Sequence, residues 1–211
     1  MSAKEITITL PRRRAFKNVF QFKMTLLETE PPIWRRIQVP ESYTFYDLHV
    51  AIQDAMAWLD YHLHMFDIGV PPWPKGRIRI ECPFCVEDIE EKDFLLTTEI
   101  FLNDFIKKPG DHSLYTYDFG DNWQLDILLE QILPRKPKTN YPICLEGQLA
   151  GPLEDSGGVP GYYDCIRAIK KRDDSEGLLT WVGRWRPDQF DPKKVKFDSP
   201  RKRLQFALRD Q

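Results

Sequence analysis

The stretch VFQFKMTLLETEPPIWRRIQVP, residues 19–40, decides the fold class. Phe20, Phe22, Met24 and Leu26 alternate with Gln21, Lys23 and Thr25, the period-two pattern of a strand with one buried face. Pro31-Pro32 then imposes a turn, and Ile33, Ile37 and Val39 carry a second strand up to Pro40. Two strands this close in sequence are expected to pair antiparallel. The period then changes. Phe45, Leu48, Ile52, Ala55, Met56 and Leu59 recur at helical spacing, behind Thr44 and Asp47, which stand three apart as in a capping box. A helix laid on an antiparallel pair opens an α+β domain.

Working outward, Leu63, Met65 and Ile68 mark a third strand, residues 71–76 a loop and 77–80 a short strand. Residues 87–93 are acidic and read as a solvated loop. Residues 102–108 have helical spacing, stopped by Pro109-Gly110. Residues 114–117 and 123–129 form two strands across a glycine-containing bend of hairpin length. A helix at 162–171 follows Gly161, and Ser199-Pro200 opens a last one bearing Leu204, Ala207 and Leu208. No repeat or linker divides the chain. The expectation is a single α+β domain over 16–211, mainly antiparallel sheet with covering helices, after a flexible basic tail at 1–15.

Composition narrows the function classes. With 42% hydrophobic and 29% charged residues in 211, the chain can bury a core without staples. It has no apolar run near the roughly 18 residues of a membrane span and no secretory leader, so a cytoplasmic location without a membrane partner is expected. Four cysteines are too sparse for a disulfide scaffold and are expected reduced. The net charge of −2 hides an asymmetry: residues 1–23 and 192–211 each carry +5, which leaves 24–191 at −12. Such a body attracts cations and repels nucleic acid. Nucleic-acid contact would have to run through the basic ends, Arg12-Arg13-Arg14 and Arg201-Lys202-Arg203, which also read as solvated charge.

Two acidic, glycine-rich bends flanked by aromatic residues hold the candidate site: YTYDFGDNW, residues 115–123, and PLEDSGGVPGYYD, residues 152–164. Asp118 and Asp121 sit close enough across their bend to hold a hard cation or share a proton, and equally suit turn chemistry. Glu154 and Asp155 precede a helix start, where backbone amides gather, and equally read as a structural turn. His62 and His64 are two apart, so on one strand they share a face and can reach one metal, of which they are half a site. Trp123 and Tyr162 complete the set as ring-bearing contacts, with core packing the alternative. A divalent cation is the one cofactor this set suits. Cys82-Pro83-Phe84-Cys85 has zinc-knuckle spacing but no second close pair, and Trp34-Arg35-Arg36 offers a stacking surface or plain packing.

The segments 19–68, YTYDFGDNW, YPICLEG and EDSGGVPGYYD, in this order, resemble the Ri-plasmid ORF-three-like domain family, also labelled the insertion-sequence passenger TnpR family. The resemblance spans residues 19 to about 191 and implies one α+β domain, in a family found on plasmids, insertion sequences and chromosomes with no securely assigned activity. Family members often carry a histidine where this chain has Leu125, and cysteines where it has Gly151 and Ser156. Three readings follow. The first is a non-enzymatic binding or accessory domain whose acidic, aromatic-lined groove takes a protein segment or small basic ligand. The second is a metal-dependent hydrolase or nuclease using Asp118, Asp121, Glu154 and Asp155. The third is a DNA-transaction accessory protein using the basic ends.

Overall fold

The protein is described from a computed structural model over residues 8, 11–69, 71, 78–85, 95–172, 174, 175 and 177–209. The loop expected at 71–76, Pro71 excepted, and the acidic loop at 87–93 lie outside these residues, as does most of the stretch 1–10.

The opening pair forms as its pattern dictates. Strand β1 (Asn18–Leu26) pairs antiparallel with β2 (Trp34–Pro40), from Val19 opposite Pro40 to Thr25 opposite Trp34. Phe20, Phe22, Met24 and Leu26 enter the main core with Ile33, Ile37 and Val39. Each such side chain removed from water contributes about 1.5–3 kcal/mol. The alternate face is polar and internally satisfied. Gln38 donates to Gln21 at 2.9 Å, Gln21 to Glu130 at 3.0 Å, and Arg36 bonds Glu130 through two nitrogens.

Helix α1 (Phe45–Met56) starts on a complete capping box: Thr44 Oγ1 accepts the Asp47 amide and Asp47 accepts the Thr44 amide. Leu59, placed on its stripe by periodicity, lies beyond its end and is 55% exposed. The orphan carbonyl of Ala55 accepts Arg35 Nε at 2.8 Å. Arg35 is therefore an interior residue, with burial lowering its pKa to about 10 and Phe190 under its guanidinium. That correction removes it from the stacking surface its neighbours suggested.

Strands β3 (His64–Ile68), β4 (Ile78–Glu81), β5 (Leu95–Leu96), β6 (His112–Tyr117), β7 (Trp123–Pro134) and β8 (Ile143–Gln148) complete one eight-stranded sheet. Its order is β5-β4-β3-β6-β7-β1-β2-β8, antiparallel throughout except between β4 and β5. Helices α2 (Leu102–Phe105), α3 (Gly158–Lys171), α4 (Leu178–Val182) and α5 (Pro200–Ala207) accompany it. The whole is one α+β domain with a mainly antiparallel sheet.

Differences from expectation have local causes. Helix α2 stops after one turn, short of 108, because the Asp111 carboxylate takes the amides of Lys107 and Lys108 at 2.7 and 3.0 Å. Strand β7 runs past 129 to Pro134 because β1 offers a ladder through Asn18 opposite Pro134. Strand β8 was not anticipated; its residues are half-buried or exposed, so pairing with β2 holds it rather than an apolar stripe. The Gly161 region is already helical, since α3 begins at Gly158.

Candidate functional site

Adjacent strand ends create the site. His64 at the start of β3 lies opposite Tyr117 at the end of β6, so the connection out of α1 meets the β6–β7 bend. Tyr117 and Trp123 close that hairpin, leaving 118–122 as its loop. Asp118 enters the left-handed region at φ 53°, a conformation aspartate adopts more readily than most residues. Its Oδ1 accepts the amides of Gly120 and Asp121 at 2.9 and 3.3 Å, while its Oδ2 lies 3.6 Å from His62 Nε2. Turn-building and site-facing roles are thus divided between two oxygens of one side chain.

The second bend docks on the first. Asp121 Oδ2 accepts the Gly157 amide at 3.0 Å, and Gly158 packs so close that a Cβ there would stand 2.6 Å from the Asp121 carbonyl oxygen. Gly158 also has φ 66°, so both sterics and conformation demand glycine. Asp155, at φ 55°, places Oδ1 2.8 Å from His62 Nε2. Glu154 approaches within 4.0 Å of the same nitrogen. Its other oxygen accepts the Leu59 amide at 2.9 Å, and the Tyr117 hydroxyl donates to Glu154 Oε1. Burial, reinforced by that hydrogen bond and the carboxylate charge, pushes the Tyr117 phenol well above its ordinary pKa.

His62, Asp118 and Asp155 therefore converge: one ligand atom from each lies within 4.8 Å of the others. One imidazole nitrogen with two carboxylate oxygens suits a divalent ion of borderline character, such as Mn²⁺, Fe²⁺ or Zn²⁺. Glu154 stands at the edge of this group. Asp121 is spent on pinning the second bend. Residues next to the cluster in the chain expose large side chains: Leu59 and Tyr61 in the connection, 55% and 71% exposed, and Phe119 in the bend, 48% exposed.

The other sequence candidates lie elsewhere. His64 does not share an open strand face with His62, which precedes β3; its ring is buried, stacked on His49 at 3.5 Å, with Nε2 3.3 Å from Thr97 Oγ1. Burial, with His49 beside it, holds the His64 pKa well below the ordinary value. Trp123 and Tyr162 are buried and pack in the core, Trp123 beside Trp58 and Tyr162 beside Trp185. Cys82 and Cys85 face each other across a turn, joined by no third ligand among the described residues. Leu125 is core, Gly151 abuts the Met56 carbonyl, and Ser156 Oγ is buried without a partner.

Beneath the cluster runs a polar chain that periodicity alone did not reveal. His49 Nε2 bonds Asp60 at 2.7 Å and its Nδ1 bonds the Tyr115 hydroxyl at 2.8 Å. Gln53 donates to the same hydroxyl at 2.9 Å. Both ring nitrogens of His49 and the Tyr115 hydroxyl are thereby engaged. Burial disfavours the Asp60 carboxylate, but His49 and Arg203 outweigh it and keep its pKa below the ordinary range. Arg203 also bonds Asp54 at 2.7 Å, which commits this member of the basic C-terminal cluster to the fold. Tyr117 on a strand, His49 on a helix and Asp60 in the connection after it are legible in sequence only as ring or charge types.

Among the described residues no helix is long and apolar enough to cross a membrane. The family model described as plasmid pRiA4b ORF-3-like protein matches residues 18–197. The uncharacterized protein y4hQ of Sinorhizobium fredii (strain NBRC 101917 / NGR234) is 32% identical over 178 residues, covering 79% of this chain and 81% of the relative. The crystal structure of MM3350, a protein of unknown function from Methanosarcina mazei Go1, aligns with a TM-score of 0.76 at 42% identity, over 87% of this chain and 99% of that one. Neither relative brings an activity with it. On the strength of the matched span and these likenesses, the chain belongs to the plasmid pRiA4b ORF-3-like family.

Proposed function

We propose that this chain is a binding domain whose acidic, aromatic-flanked site takes a divalent cation through His62, Asp118 and Asp155. The observation that carries this reading is the convergence of three ligand atoms within 4.8 Å, His62 from the connection after α1 and Asp118 and Asp155 from two bends that the Asp121–Gly157 hydrogen bond ties together. A nitrogen donor among the carboxylates favours a metal over a lysine or arginine side chain, which an imidazole would not attract. Three protein ligands leave coordination positions open, and the exposed Leu59, Tyr61 and Phe119 next to them in the chain offer contacts to an apolar partner segment or ligand. The hydrolase reading rests on the same group, with Asp121 left out.

Calorimetric titration of the full chain with Mn²⁺ tests the proposal. The expected result is one site with a Kd of about micromolar order, weakened at least about ten-fold by His62→Ala or Asp155→Asn. Absence of binding heat, or affinity indifferent to both substitutions, would overturn it.

A further inference from the structure

The two basic ends, separated by nearly the whole sequence, meet across a cavity of about 860 Å³. Arg12, Arg13 and Arg14 from one end and Arg201 from the other line it, together with Tyr43 and Phe197. A cavity this size accommodates a ligand of roughly nucleotide dimensions. Two acidic residues share the lining: Asp47, which accepts the Thr44 amide in the capping box and feels the Arg13 charge, and Asp198, which pairs with Arg203; four arginines outnumber them. Arg12, Arg13 and Arg201 form no ion pair among the described residues, and Arg14 lies flat over Phe101 at 3.6 Å. Ser199 and Pro200, which open α5, also border the cavity. The Ser199 side chain makes no capping bond there, so first-turn amide donors remain for an anion.

We infer that this cavity binds a small polyphosphate ligand bearing an aromatic ring, its phosphates held by Arg12, Arg13 and Arg201 and its ring against the aromatic wall. Planar, permanently charged guanidinium groups match phosphate oxygens, and four of them in a chain with a −12 body make a local field opposite to the rest of the surface. The inference is independent of the cation site.

The test is calorimetric titration of the full chain with ATP, with tripolyphosphate and with a 20-base-pair duplex (about two helical turns), all in EDTA so that metal binding is silent. ATP should bind more tightly than tripolyphosphate. Arg13→Ala/Arg201→Ala, two exposed positions, should weaken ATP at least about ten-fold with an unchanged melting curve, while Lys170→Ala on α3 leaves affinity alone. No heat with ATP up to about 1 mM, affinity unchanged in the double variant, tripolyphosphate binding as tightly as ATP, or tighter binding of the duplex would each overturn the inference.

Discussion

Lowering the pH from 7.5 to 5 should destabilise the native state by up to about 2 kcal/mol through His64 alone. The ring is 2% exposed, stacked on His49, and faced by Tyr46 from α1, Tyr115 from β6 and Thr97 after β5. None of these neighbours offers it a carboxylate, so the folded state keeps it neutral and its pKa falls well below normal. The unfolded chain takes a proton at the ordinary histidine value near 6.5, and below that pH it binds more protons than the native state. Stability is therefore complete above about pH 6.5 and drains away as the pH falls toward the depressed folded pKa. At pH 5 an unfolded pKa of 6.5 corresponds to RT ln(1 + 10^1.5), or about 2 kcal/mol. Urea unfolding of the wild type and of His64→Asn, between pH 5 and 8, isolates this group because carboxylates titrate alike in both. The stability gap between the two proteins should narrow by about that amount on acidification. A gap that stays constant across the range would show that His64 is accessible to protons in the folded state and would refute the reasoning.

The remaining predictions concern the site's construction. Gly158→Ala should lower stability by about 1–3 kcal/mol, read by denaturant unfolding, because alanine resists φ 66° and its Cβ would press on the Asp121 carbonyl. Asp121→Ala removes the acceptor of the Gly157 amide, and Mn²⁺ affinity should drop about ten-fold by calorimetry although Asp121 is not itself a proposed ligand. Tyr117→Phe leaves Glu154 without its hydroxyl donor; a cost of about 1.5–3 kcal/mol is expected, and a double-mutant cycle with Glu154→Gln should show strong coupling. Thr44→Ala should cost about 1 kcal/mol through loss of the α1 cap, with unchanged cation binding.

Much of this architecture was written in local chemistry. The alternation from Phe20 to Leu26, the Pro31-Pro32 turn and the Thr44/Asp47 box specify β1, β2 and α1 through interactions within a few residues, and the structure places them there. The hairpin around Asp118 followed from turn chemistry in the same way. Strand β8 escaped because its stability comes from a partner more than a hundred residues away. For β7, length was set by β1.

Residue types also marked the candidate site, since acidic glycine-rich bends beside aromatics announce where charge is presented. Which of those side chains meet was decided by tertiary packing. Sequence spacing tied His62 to His64, yet β3 starts between them, so one reaches Asp118 and Asp155 while the other stacks in the core on His49. Asp118 and Asp121 looked equivalent across one bend, until the docking of the Gly157–Gly158 backbone consumed the second. Trp123 and Tyr162 looked like ring contacts and became core. The two basic ends read as separate runs, whereas chain closure brings Arg12, Arg13, Arg14 and Arg201 to the lining of one cavity. Sequence fixes what a residue can do within its own turn or strand; which distant oxygen, nitrogen or cation it faces depends on where non-local burial brings the chain back upon itself.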